Sequence, residues 1–473
     1  MAKALMFQGT GSGVGKSLLT AGFCRLLKNM GVSVAPFKSQ NMALNAGVTP
    51  DNLEMGRAQI LQAEAAGVIP DVRMNPILLK PQGQASSQLI RMGKVAGVYS
   101  AREYYTLFEE NFKTVKEAYD LLSSEYDVVV IEGAGSPAEI NLHKTDIVNM
   151  RMAQYANADT YIIGDIDRGG VFAWLKGTYD LLPAGTPELV KGFIINKFRG
   201  DKSLLQPGIE MFEQIVPKPV VGVVPYTRLN LEEEDSQDIC SDTRPTGYKV
   251  GVIRLPYISN FSDFASIKAM DSVQLVYITK PSELETCDCV IIPGSKHTIY
   301  DMNYICEYGF EVALKNYTKP IIGICGGLQI LGEIIADSEG LEGSAGSKQG
   351  LGLLPLKTDM TNQKQLGLMT LDGAKQWAGQ KIKGYEMHMG VTQATGEVCE
   401  LTCSGLCVLK NNVFGTYLHA FFDYAENLKA LNKVLGTKFE EVDYENEKDR
   451  QLNLLAETIK NNCDINFILK GIL

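Results

Sequence analysis

The sequence predicts an α/β protein of two domains, each built on a parallel sheet. Three observations carry this. Apolar β-like runs alternate with helical stretches through both halves. A glycine-rich loop ending in Gly15-Lys16-Ser17 follows the first apolar run. A cysteine flanked by glycines, Ile324-Cys325-Gly326-Gly327, closes another such run far downstream.

Taken in order, Ala4-Leu5-Met6-Phe7 is the strand that enters the glycine-rich loop, and a helix is expected over Ser17–Met30. Strands are predicted at 33–37, 127–131, 160–163, 192–195 and 219–224, with a helix over Arg102–Glu125. The polar, acidic stretch 229–238 interrupts the pattern, so the domains are set at 1–230 and 248–473, with 231–247 as linker. A second α/β series begins at 249–254 and continues through strands at 289–294, 320–324 and 413–417. Residues 425–473 read as helical. The apolar tail Ile465–Leu473 is short for a membrane anchor and is expected to pack on the second domain.

A chain of 473 residues exceeds one comfortable core. Apolar content of 45% and charged content of 21% are those of a soluble globular protein. A net charge of −10 argues against binding nucleic acid or an anionic membrane. The N-terminus runs directly into strand and loop, with no room for a signal peptide, and no apolar run is long enough to span a bilayer. Ten cysteines without a regular framework point to a reducing cytoplasm.

The first loop, Gly9-Thr10-Gly11-Ser12-Gly13-Val14-Gly15-Lys16-Ser17, is a phosphate cradle. Small residues between strand and helix let backbone N–H groups converge on phosphate oxygens. Lys16 is suited to the β/γ-phosphates of ATP and Ser17 to Mg²⁺. The spacing departs from the common pattern, because Thr10 stands where a glycine is usual. Glu132, at the end of an apolar strand, is the second candidate Mg²⁺ ligand. Lys38, with Gln40 and Asn41 beside it, follows the second strand on the sheet edge where ligands bind. Lys38 reads either as a bridge between γ-phosphate and a substrate carboxylate or as a surface lysine. Asn196, at another strand end, is a candidate for the adenine. Asp146 reads either as a contact to substrate or acyl-phosphate intermediate or as a helix cap.

Cys325, on a tight strand-to-helix turn, is a candidate thiolate nucleophile for splitting the amide of glutamine. Gly326 and the Gly294-Ser295 pair of Pro293-Gly294-Ser295-Lys296 are candidate sources of oxyanion donors. Of four histidines, His419 ends an apolar run and is the expected base, with His388 as competitor. Cys399, Cys403 and Cys407 are evenly spaced but have no histidine nearby, so they are expected to be core thiols.

The stretches Pro36–Met42, Glu54–Gln59, Met74–Pro81, Ile131–Leu142 and Asp165–Ala173 carry a resemblance, joined by Pro293–Lys296, Gly384–Gly390 and Gly415–His419. Through them the chain resembles the cobyric acid synthase family almost end to end. The resemblance implies a dethiobiotin-synthetase-like P-loop domain followed by a triad-type (class I-like) glutamine amidotransferase domain. It also implies a corrinoid substrate, adenosylcobyrinic acid a,c-diamide. The b, d, e and g carboxylates of this substrate would be amidated at the expense of ATP and glutamine. In triad amidotransferases a Pro-Glu pair usually follows the catalytic histidine, whereas Ala420 and Phe421 stand here. The cobyrinate and cobyrate amidases generally lack that Glu, which leaves the partner of His419 open, with Asp423 as a candidate. Two rivals remain: the same machinery acting on a different acid, and a partitioning-type ATPase. The second lacks its signature lysine, since Gly11 occupies that place.

Overall fold

The computed structural model describes residues 1–82, 86–232, 247–343 and 345–473. Most of the predicted linker therefore lies outside the described residues.

The first half is organised by a six-stranded sheet. Its strands run, in spatial order, Val220–Pro225, Val190–Phe198, Asp159–Asp165, Lys3–Gly9, Val128–Glu132 and Val34–Phe37. All neighbours pair in parallel. Helices cover both faces, which is why the strands are near-continuous apolar runs rather than alternating ones. The expected helix over 102–125 is two helices, Ala101–Thr106 and Phe108–Glu125, the first capped by a reciprocal Ser100–Glu103 box. A four-stranded sheet that periodicity did not reveal is inserted here, in the order Gln40–Met42, Ile77–Gln82, Ser86–Arg91 and Lys94–Ser100.

The second half carries a seven-stranded sheet. Five parallel strands (Val273–Ile278, Tyr248–Ile253, Cys289–Ile292, Ile321–Ile324, Val413–Thr416) are extended by two antiparallel ones. A long antiparallel ribbon, Leu356–Asp372 with Lys381–Ala394, belongs to a separate five-stranded sheet. It then pairs Tyr385 with His419.

The halves meet through a small apolar cluster. Ala43, Ala46, Val48, Leu78 and Ile90 of the first pack on Tyr385 and Met387 of the second. Polar bonds lock the contact. The Tyr385 hydroxyl donates to Ala46 O at 3.1 Å, Asn260 Nδ2 donates to the same carbonyl at 3.2 Å, and Phe261 N donates to Asn45 Oδ1 at 3.1 Å.

The C-terminal tail differs from the expectation. Ile468, Leu469 and Ile472 are buried with Leu5, Phe7 and Tyr161 on the first sheet, not on the second domain. They arrive there with the helix Tyr444–Asn462, whose Leu452, Leu455, Ala456 and Ile459 form one apolar stripe. That stripe lies on the helix Lys16–Asn29 at Gly22, where a Cβ would stand 2.3 Å from Ile459 Cδ1 and 2.8 Å from Leu455 Cγ. The bare glycine lets the two helices approach, and Arg25 Nη1 donates to Asp449 Oδ1 at 2.6 Å beside it. Among the described residues no helix is long and apolar enough to cross a membrane.

Candidate active sites

The glycine-rich loop connects the central strand Lys3–Gly9 to the helix Lys16–Asn29. Gly15 has φ +96°, and a Cβ there would lie 2.2 Å from Asn196 Nδ2, so only glycine serves. Asn196 Nδ2 donates to Val14 O at 2.9 Å, and Lys197 Nζ to Gly13 O at 2.6 Å. The asparagine expected near adenine thus braces the loop. Lys16 Nζ donates to Gly11 O at 2.7 Å and Gly135 O at 3.1 Å, bringing the loop against the segment after Glu132.

Glu132 is fully buried and is the hub of this site. Its Oε1 accepts from Ser17 Oγ at 2.8 Å and from Lys38 Nζ at 2.7 Å. Its Oε2 accepts from Gln62 Nε2 at 2.6 Å. Gln59 Nε2 approaches Oε2 at 3.4 Å, and Gln59 Oε1 accepts from Asn41 Nδ2 at 2.9 Å. Adjacent oxygens of Ser17 and Glu132 are the hard donors Mg²⁺ takes alongside phosphate oxygens and water, so these residues fit that ion. Gln40 turns away and accepts from the Tyr104 hydroxyl. Asp146 Oδ1 accepts from Val148 N and Asn149 N, both at 2.9 Å, closing a turn before the helix Met150–Ala156. Asn149 ties that turn to Ala134 by a pair of bonds at 3.1 and 2.8 Å. Sequence reasoning assigned no role to Gln59, although it ends the resembling stretch Glu54–Gln59, or to Gln62, one turn further along the helix Arg57–Ala66.

In the second half Cys325 has φ +51° and ψ −106°, a strained conformation for a residue with a Cβ. Sharp strand-to-helix turns of this kind are where hydrolases mount a nucleophile, and here the cysteine is 8% exposed. Its amide donates to Thr416 O at 2.7 Å, pinning the elbow to the neighbouring strand. A Cβ on Gly326 would lie 2.7 Å from Ser295 N, which places the Gly294-Ser295 segment directly over the elbow. A Cβ on Gly294 would be 3.4 Å from His419 Cε1, so that segment also touches the imidazole. Asp301 holds the segment: its Oδ2 accepts from Ser295 Oγ at 2.5 Å and its Oδ1 from Tyr257 N at 3.2 Å. Burial raises the Asp301 carboxyl to about 7 despite those bonds.

His419 lines the same pocket as Cys325, and its Nδ1 lies 2.8 Å from Asp263 Oδ2. Asp263 Oδ1 accepts from Ala420 N at 2.7 Å, fixing the carboxylate's orientation. Burial alone would lower the imidazolium's pKa, but the Asp263 charge and hydrogen bond, followed by Cys325, raise it to about 10. The raised value favours the protonated ring on His419 beside Cys325. The imidazolium can protonate the amide nitrogen so that it leaves as ammonia, and the neutral ring can afterwards activate water.

The partner of His419 is therefore Asp263, not Asp423. Asp423 is buried elsewhere, among Glu232, Lys448 and Arg57, where burial first and the Glu232 charge second push it up to about 7. Nothing in the sequence pairs Asp263 with His419, because it lies 156 residues earlier in a short turn, Phe261–Phe264. His388 lines the same pocket but stacks on Tyr417 at 3.8 Å, with Nδ1 held by Gly390 O at 2.8 Å. Of the three evenly spaced cysteines only Cys407 is buried; Cys399 is half-buried and Cys403 exposed, so the group is not a core cluster. Cys403 lies in the exposed connection between the antiparallel strands Cys399–Glu400 and Cys407–Lys410.

Comparisons with known proteins bear on both sites. Residues 5–238 match the family model described as the CobQ/CobB/MinD/ParA nucleotide binding domain. Residues 249–427 match the CobB/CobQ-like glutamine amidotransferase domain. A relative from Ruminiclostridium cellulolyticum named cobyric acid synthase is 44% identical, the match covering 100% of this chain and 97% of that one. Relatives of the same name from Clostridium botulinum strain Loch Maree, at 44%, and Photorhabdus laumondii, at 43%, each match over 98% of this chain and cover 98% and 97% of their own.

Proposed function

The chain belongs to the cobyric acid synthase family, and from that premise we propose that it amidates the b, d, e and g carboxylates of adenosylcobyrinic acid a,c-diamide to give adenosylcobyric acid. It is a glutamine-hydrolysing, amide-forming ligase with a nucleotide-binding half and an amidotransferase half. In our reading, residues 1–230 activate the acid and residues 248–473 release ammonia, with 231–247 joining them.

In the first half, the loop Thr10–Ser17 and Lys16 cradle ATP phosphates. Ser17 and Glu132 would hold Mg²⁺, which when bound would offset negative charge on the ATP phosphates. Lys38, whose Nζ lies 2.7 Å from Glu132 Oε1, would orient the γ-phosphate and the attacking carboxylate. Attack of the carboxylate oxygen on the γ-phosphorus expels ADP and leaves an acyl phosphate. Asn41 and the Asp146 turn are assigned to the substrate side of this site, whereas Gln40 is turned towards Tyr104.

In the second half, the Cys325 thiolate attacks the glutamine amide carbon, and backbone N–H groups of Gly294, Ser295 and Gly326 receive the oxyanion. His419 gives its proton to the amide nitrogen, which departs as ammonia and leaves a γ-glutamyl thioester. The neutral imidazole then takes a proton from water, which hydrolyses the thioester to glutamate. Ammonia displaces phosphate from the acyl phosphate in the first half. It must travel as NH₃, because ammonium has no lone pair to attack with, and this favours two docked sites in one chain.

The observation that chiefly supports this reading is the Cys325–His419–Asp263 line in one half of a chain whose other half gathers Ser17, Lys38 and Glu132. The test is mass spectrometry of the a,c-diamide incubated with the protein, Mg-ATP and amide-¹⁵N glutamine. Four labelled amidations are expected, lost in Cys325→Ala with glutamine and regained with free ammonia. No mass change beside intact glutamine hydrolysis would move the search to other carboxylic acids.

A further inference from the structure

The pocket at Cys325 holds more cation than its chemistry needs. Lys80, Lys296 and Lys364 all line it, together with Gln329, Glu342 and Met387. Lys80 and Lys364 share one carboxylate, Glu54: Lys80 Nζ lies 2.9 Å from its Oε1, and Lys364 pairs with Oε2. Glu54 and Lys80 are almost wholly buried, with side chains 1% and 4% exposed. Glu342 Oε2 accepts from Thr298 N at 2.8 Å, which leaves its charge turned partly towards Lys296. Burial and the nearby Lys80 both disfavour a charged Lys296, and burial brings Lys364 down to about 7.

Among the described residues, three lysines against two carboxylates leave an excess of cationic groups around the pocket, and burial acts against the charge on Lys296 and Lys364 while no further anion is beside them. Such an excess is costly unless an anion arrives to share it. Free glutamine brings one, since its α-carboxylate sits on the end of the molecule opposite the reacting amide. It also brings an α-ammonium, for which Glu342 is the nearby acid. A glutamine within a peptide has neither charge, so a cation here selects the free amino acid.

Lys80 belongs to the strand Ile77–Gln82 of the first half, whereas Lys296 follows the Gly294-Ser295 segment of the second. Met387 joins them to the nucleophile: its carbonyl lies 3.6 Å from Cys325 Sγ and its sulfur 3.7 Å from Lys80 Nζ. We propose that Lys296 and Lys80, one from each half, bind the α-carboxylate of glutamine, so that the glutaminase pocket is complete only where the halves are docked. Glu54 keeps Lys80 and Lys364 in place before the substrate enters. This assignment rests on the glutaminase reading above.

The test measures binding and hydrolysis separately in the full chain. In a Cys325→Ala background, calorimetry compares L-glutamine with 4-aminobutanamide, which keeps the amide and the amine but lacks the carboxylate. Lys296→Met and Lys80→Met are each expected to weaken glutamine binding by about 10- to 100-fold while changing 4-aminobutanamide binding by less than about threefold. Lys296→Arg should recover part of the loss. With Cys325 present, the lysine variants should raise KM for glutamine far more than they lower kcat, and ammonia-driven synthesis should continue.

Equal losses for both ligands would mean that the lysines only support the pocket, and would overturn the proposal. Glutamine affinity within twofold of the parent in Lys80→Met would overturn the contribution of the first half. Failure of the intact chain to hydrolyse glutamine at all would overturn the glutaminase reading itself, and this proposal with it.

Discussion

Replacing Asp263 by Asn tests the amidotransferase site most directly. The side chains of Asp263 and His419 are each 2% exposed, so water screens their interaction little. The imidazolium's rise from 6.5 to about 10 corresponds, at about 1.4 kcal/mol per pH unit, to roughly 5 kcal/mol of preference for the protonated ring. Asparagine keeps the shape and can still accept from Nδ1–H, but it removes the charge. Burial then acts with little opposition, and the ring loses its proton near neutral pH. Departing ammonia has no acid beside it, and kcat for glutamine hydrolysis at pH 7.5 should fall by about 10²- to 10⁴-fold, with the optimum displaced to more acid pH. The assay is glutamate release across pH 5.5–9.5 in parallel with ammonia-driven amidation, which reports on the folded first half. Stability shifts with the same sign. A raised histidine pKa contributes stability that is fully present below pH 6.5 and lost as pH rises through about 10, so the variant should show a flatter loss in that window. Wild-type turnover with an unchanged pH profile in Asp263→Asn would refute the assignment.

Other outcomes follow from the same geometry. Asp423→Asn should leave glutamine hydrolysis near wild type. Its carboxyl, held at about 7 against an ordinary 3.8, contributes stability below pH 3.8 that is lost as pH rises to 7, so the variant should gain up to roughly 4 kcal/mol at pH 8, as a ceiling, by urea midpoints. Glu132→Gln should cut Mg-ATP turnover by about 10²-fold or more while sparing glutamine hydrolysis, measured by phosphate and glutamate release. Leu455→Ala, deleting part of the buried stripe over Gly22, should cost about 2–4 kcal/mol of stability and lower the melting transition of the first half rather than the second.

The chemistry-bearing loops were legible in the sequence because each is a contiguous run at a strand's end. The phosphate loop, Glu132, the cysteine elbow and His419 all need only their own strand and turn to be recognised, and the parallel sheets follow from apolar runs spaced by helices. The ribbon 356–394 and the sheet around 77–100 were not legible, since their strands carry mixed faces that no simple period marks. Position relative to distant segments was equally hidden. Asp263 meets His419, Gln62 meets Glu132, and Lys80 reaches the pocket at Cys325 only after the chain has folded. The last helix returns to the first sheet because its apolar stripe fits a glycine over four hundred residues upstream, as the bond between Arg25 and Asp449, 424 residues apart, records. Local sequence sets backbone conformation and the reactive groups it presents. Which buried charges are paired, and by which half of the molecule, is settled by long-range packing, where the cost of an unpaired ion selects among arrangements that no single segment can distinguish.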